Sequence, residues 1–180
     1  MKNKLPIGLC VLIALVLAVF GLLYGTWAGY SEDRAEVDAL LTMENGLMDV
    51  LSYRAADGLN LCVVAGRHLS AGDAALSALK EAAEELRSAA ALDRCKAADE
   101  ALSQAVVDVS VRLHETPSFQ QSQRDKNYLA MLTADLDNLS ASAAIRTYND
   151  AASAFNAKLS APLLGALAQL MGVKACPLYQ

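Results

Sequence analysis

LPIGLCVLIALVLAVFGLLYGTW, residues Leu5–Trp27, is the stretch whose reading decides the fold. It holds 23 residues and no charge. At about 1.5 Å per helical residue, such a run crosses a bilayer core of about 30 Å. Everything downstream must then work at a membrane. Residues 1–4 form a short basic flank through Lys2 and Lys4, and 5–29 form the anchor. Thr26-Trp27-Ala28 offers the small residues that a leader-cleavage site needs. The apolar run exceeds the usual signal-peptide core of about 7–15 residues, so an uncleaved anchor is the preferred reading. Cys10 follows Leu9 and precedes the apolar core, which rules out a lipoprotein site.

Flanking charge gives the orientation. Lys2 and Lys4 lie before the span, whereas Glu32, Asp33, Glu36 and Asp38 outnumber Arg34 after it. The positive-inside rule places the N-terminus in the cytoplasm and the domain outside, on a single-pass protein of the cell (inner) membrane. Without the two lysines, 13 basic residues face 20 acidic ones, so the remainder sits near −7. An acidic domain without a basic stripe argues against nucleic-acid binding and against adhesion to anionic lipid. The bilayer partner is reached through residues 5–27; an unidentified membrane or envelope protein is the other expected partner. Homo-oligomerisation stays open.

Beyond the anchor the spacing is helical. Val37, Leu41, Met48, Leu51, Ala55, Leu59, Cys62 and Leu69 recur at threes, fours and sevens, which predicts one helix over about 30–69 that continues the membrane helix. Gly46, Gly58 and Gly66 weaken this helix without ending it. Ser70–Asp73 reads as a turn with Asp73 as N-cap. A second helix is expected over about 74–90 and a third over about 92–115, with Pro117 ending the latter. Phe119–Lys126 reads as loop or a frayed first turn. A fourth helix is expected over about 124–160. Its two apolar stripes, Leu132-Leu136-Leu139 and Tyr148-Ala152-Phe155-Leu159, are out of phase, which predicts a bend near 138–145. Pro162 and Gly172 bracket a short apolar helix within the 161–180 tail. The expected fold is all-α: a transmembrane helix continuing into an elongated antiparallel up-and-down bundle (30–160), with a short apolar C-terminal helix landing beside the bilayer.

Tyr148-Asn149 followed at seven residues by Phe155-Asn156 places two aromatics on one stripe and two amides beside it. Core rings with satisfied interhelical amides are the expected role. With Arg146 ahead of them, Gly172-Val173-Lys174 behind and Tyr179 near the end, these residues resemble the C-terminal signature of the LemA family. That family carries an Ala-Arg-x-x-Tyr-Asn-x5-Tyr-Asn helix and a later Gly-Phe-Lys. Asn127-Tyr128-Leu129 is similar to the Asn-Phe-Leu opening that helix. Arg54 and Asn60-Leu61 are similar to parts of the family's Arg-Arg-x-Asp-Leu-Ile-Pro-Asn-Leu stretch. Phe155 stands where the family has Tyr, and Gly58-Leu59 where it has Ile-Pro, so the chain looks like a divergent member. The resemblance implies a membrane-anchored helical bundle without established enzymatic activity, in which Arg54, Asn60, Leu61, Asn127, Arg146, Tyr148, Asn149, Phe155, Asn156, Gly172 and Lys174 hold the structure together.

No catalytic residue, metal ligand or cofactor site is expected. The Cys spacing fits no zinc motif. A disulfide between Cys62 and Cys95, on stripes that could face each other, is chemically permitted outside the cytoplasm; two small buried thiols are the alternative. His68 and His114 are expected in the last turns of their helices, facing the negative end of the helix dipole. Glu81, Glu84 and Glu85 read as a solvated acidic face. No Ser-His-Asp set is proposed. The functional expectation is a protein–protein interaction or scaffold module at the cell envelope. The alternative is an extracytoplasmic sensory module that binds a ligand in its four helices.

Overall fold

The structure is a computed structural model describing residues 6–179. The basic flank with Lys2 and Lys4, and Leu5, lie outside the described residues. Eight helices occur among the described residues, with no strand: α1 (Ile7–Thr42), α2 (Leu47–Ala65), α3 (Ala74–Ser88), α4 (Leu92–His114), α5 (Pro117–Gln121), α6 (Gln123–Ser140), α7 (Ala143–Leu159) and α8 (Leu164–Leu170). They divide into two compact units. One comprises the chain up to Ala39 with Ala151–Cys176; the other comprises Leu40–Asp150 with the chain from Pro177 onward.

Three expectations are corrected. The helix expected over 30–69 is two, separated at 43–46. Asn45 adopts left-handed φ of 59°, which Asn tolerates better than most residues. A Cβ on Gly46 would stand 2.7 Å from the Met43 carbonyl oxygen, so glycine is what this turn admits. The helix expected over 124–160 is also two, α6 and α7, parting at Ala141-Ser142 where the stripes change phase. Phe119–Lys126, expected as loop or a frayed first turn, is shared between a one-turn helix, α5, and the start of α6, with Phe119 wholly in the core.

In the unit centred on Leu40–Asp150, α2 packs against α3, α4 and α6, and α3 against α4. Short connections make consecutive helices antiparallel neighbours, the up-and-down arrangement. Leu47, Leu51, Ala55, Leu61 and Ala65 of α2 are buried with Leu79 and Ala83 of α3, and Leu102, Val109 and Leu113 of α4. A Cβ on Gly58 would meet Leu102 Cδ1 at 2.7 Å and Ala83 Cβ at 3.1 Å. Gly58 thus sets how closely α2 approaches its two neighbours. Asp73 caps α3 as expected, its Oδ1 accepting from Ala75 N at 3.0 Å and Leu76 N at 3.4 Å.

In the other unit, Tyr30 and Val37 of α1 are buried, as are Ala152, Phe155 and Leu159 of α7, Ala168 of α8, and Val173 and Cys176 beyond it. Tyr30 Oη donates to the Lys158 carbonyl at 3.2 Å, and Lys158 pairs with Asp33. α8 is shorter than the 161–172 expected; Gly172, with φ of 94°, follows it as the left-handed residue after the C-cap.

Candidate functional site

The N-terminal helix is long and apolar enough to cross a membrane, although a signal sequence would meet the same test. Over residues 7–27 it has no polar face and no apolar stripe. Leu12, Leu17 and Phe20 are 58%, 66% and 66% exposed, and they point in different directions around the helix. In water such a surface would be unfavourable on every side; in lipid it is solvated.

Three of the motif residues, Tyr148, Asn149 and Asn156, bond the C-terminal tail, each within its own unit. Asn156 presents both ends of its amide to Cys176: its Nδ2 donates to the Cys176 carbonyl and its Oδ1 accepts from Cys176 N, each at 2.8 Å. In the same unit, Arg34 Nη1 donates to the Lys174 and Ala175 carbonyls at 2.5 and 3.0 Å. In the other unit, Asn149 Oδ1 accepts from Tyr179 N at 2.9 Å, and Tyr148 Oη donates to the Pro177 carbonyl at 2.7 Å. The rings of Tyr148 and Phe155 are buried as expected. The amides are not interhelical: they give an extended segment the backbone partners that it lacks outside a sheet.

Tyr179 ends this run inside the helical core of its unit. Its Oη donates to Asp99 Oδ2 at 2.6 Å, and Asp99 Oδ1 accepts from Arg54 Nε at 2.5 Å. Arg54 is 2% exposed. Its other nitrogens donate to the Leu136 carbonyl at 2.5 Å and Ser103 Oγ at 2.8 Å. One guanidinium therefore ties α2 to α4 and α6 and holds the acceptor for the tail. Burial, reinforced by the Asp99 carboxylate, pushes the Tyr179 phenol far above its ordinary range. It therefore stays a proton donor.

Of the other motif residues, Leu61 is buried in the core. Asn60, Asn127 and Arg146 are exposed and stand apart from the tail. Asn60 bonds Asp57, and Asn127 accepts from Gln123. Gly172 follows α8, and Lys174 contributes its carbonyl to Arg34. Asp99, Ser103 and Arg34 escape a reading by motif. The available signal was Arg54 itself, a charge on the apolar stripe of α2, which requires a buried partner.

All four cysteines are free, so Cys62 and Cys95 are not joined. Cys95 donates to the Ala89 carbonyl, and burial pushes the Cys62 thiol up to about 11. Both are protonated, unreactive thiols at neutral pH.

A polar cluster gathers where α2, α4, α5 and α6 end or begin. His68 lies past the end of α2 in a turn, not in its last helical turn as expected. Its Nε2 is 2.9 Å from Asp125 Oδ2, and its Nδ1 is 3.0 Å from Ser118 Oγ. Asp125 also accepts from Arg67 at 2.5 Å and Ser122 Oγ at 2.8 Å. Hydrogen bonds from Ser122, His68 and Arg67 hold its carboxyl down at about 2. The Phe119 ring meets the His68 and His114 rings edge-on at 5.4 and 5.7 Å. The fold thus assembles a Ser-His-Asp set that linear spacing does not reveal. No protein-family model and no curated protein matches the chain.

Proposed function

We propose that this protein is a LemA-like, membrane-anchored helical bundle that serves as an interaction or scaffold module at the cell envelope. The observation that carries this reading is the first part of α1, residues 7–27, whose apolar side chains stand open around the helix and which leads on to the helical bundle. A helix of that kind keeps the bundle at a bilayer, and a bundle kept there meets other membrane proteins at high effective concentration. The LemA reading is supported by the use to which Tyr148, Asn149 and Asn156 are put. A repeated aromatic-Asn helix and a late Gly-x-Lys segment make sense as two halves of one clamp.

Two measurements test this. The full chain should stay with membranes through alkaline extraction and keep its N-terminal segment by intact mass. Release, or a mature mass beginning after Ala28, would remove the anchor. Crosslinking with mass spectrometry in intact membranes should then return a reproducible membrane or envelope neighbour. Finding only free monomer would count against the interaction role.

A further inference from the structure

We propose that Ser118, His68 and Asp125 form a chemically active site in which Ser118 accepts an acyl group from an activated carboxylic ester. This lies beyond the anchoring and interaction roles and departs from the expectation of no enzymatic activity. The argument starts at Asp125. Its Oδ2 takes the Ser122 hydroxyl at 2.8 Å and His68 Nε2 at 2.9 Å, and its Oδ1 takes Arg67 at 2.5 Å. A carboxylate with these donors is ionised and acts only as an acceptor. It therefore fixes the imidazole proton on Nε2 and leaves the lone pair of neutral His68 on Nδ1. That lone pair faces Ser118 Oγ at 3.0 Å, so the hydroxyl donates to it. A hydroxyl, a base with a free lone pair and a carboxylate that sets the tautomer are the parts of an activated serine, recognised by roles and not by sequence order.

Two further observations separate this from a capping network. Ser122 performs the capping: its Oγ accepts from Asp125 N at 3.3 Å at the start of α6. Ser118 Oγ points instead to the imidazole. Exposure is also divided in the useful sense. The His68 side chain is 7% exposed and is braced by the buried Phe119 ring, whereas Ser118 is open to solvent. The base is sheltered and the nucleophile is reachable. Among the described residues, the charged and titratable groups next to His68 are Asp125 from α6, Arg67 beside it in the chain, and His114 of α4, whose ring also meets Phe119 edge-on.

In the reaction, Ser118 Oγ bonds to the ester carbonyl carbon as its proton passes to His68 Nδ1. The adduct collapses with loss of the alkoxide, which takes that proton and leaves as the alcohol. The product is a Ser118 ester, which water cleaves by the same route to the carboxylic acid and free Ser118. Ser118 and His68 are catalytic; Asp125 is a positioning residue.

The test uses the full chain in detergent micelles with p-nitrophenyl acetate, read by intact mass and peptide mapping. Acetyl should appear on Ser118 about 10²-fold faster than on Ser88, an exposed serine that bonds only to its own helix. His68→Gln should remove the excess rate at Ser118 and leave the Ser88 rate unchanged. Asp125→Asn, which frees the imidazole to hold its proton on Nδ1, should lower the Ser118 rate, and Asp125→Glu, which keeps a carboxylate, should restore part of it. Because the Ser118-to-Ser88 ratio is read on the unaltered chain, a variant that fails to fold does not decide the matter. Equal acetylation of the two serines, or acetylation stopping at His68, would overturn the proposal.

Discussion

Leu17 of α1 and Leu61 of α2 are the same residue on helices joined by a four-residue turn, yet one is 66% exposed and the other fully buried. The difference lies in what surrounds each leucine in sequence. Around Leu17, every direction of the helix carries an apolar side chain, so no face is left for water. Around Leu61, the buried residues keep to one side, and Ser52, Tyr53, Ala56 and Asn60 look outward. α2 even buries a charge, Arg54, because its neighbours supply three acceptors. The two regions pose the same hydrophobic demand: α2 meets it with its own neighbours, and α1 leaves it to surroundings outside the described residues.

The largest break in that comparison is Arg54→Ala. It strands Asp99 and should cost about 3–5 kcal/mol, read as a lower denaturant midpoint. Arg54→Lys should recover only part of this, since an ammonium cannot reproduce the planar fork. The membrane partition of α1 should not change in either variant. The reverse experiment is Leu17→Arg. It should raise the apparent free energy of membrane insertion by about 2.5–3.5 kcal/mol, with the denaturation midpoint of the α2 bundle unmoved. If the midpoint fell instead, α1 would be a core helix and not a lipid-facing one.

The glycines sharpen the contrast on a smaller scale. Gly58→Ala pushes a methyl against Leu102 and Ala83 and should destabilise the bundle by about 1–3 kcal/mol. Gly25→Ala meets nothing within 4 Å and should be neutral or stabilise α1 by up to about 1 kcal/mol. The smallest effect is confined to acid. The Asp125 carboxyl is depressed from 3.8 to about 2 in the folded chain. Its contribution is complete above the unfolded value and is lost as pH falls from about 4 to about 2. Asp125→Asn should therefore flatten the stability profile across that window while reducing stability at neutral pH.

Much of this architecture was legible in residue order. The cap at Asp73, the stop at Pro117, the phase change near 138–145 and the left-handed position at Gly172 all follow from local chemistry. So does the burial of Tyr148 and Phe155. The break at 43–46 was less visible. Helical spacing survives a tight turn of four residues, and only the pairing of Asn45 with Gly46 hinted at one. The burial of Phe119 was hidden for another reason: a single aromatic among glutamines and serines has no periodicity to read.

By itself, then, the sequence determined the apolar span, the helical class and the aromatic-Asn repeat, because each depends on residues within a few turns of one another. Tertiary structure decided what those residues meet. That Asn156 holds Cys176, that Arg54 holds Asp99 for Tyr179, and that His68 faces both Ser118 and Asp125 are contacts between residues 20 to 80 positions apart. Hydrogen bonds of this kind form only after burial has fixed the helices, and no local pattern encodes their partners.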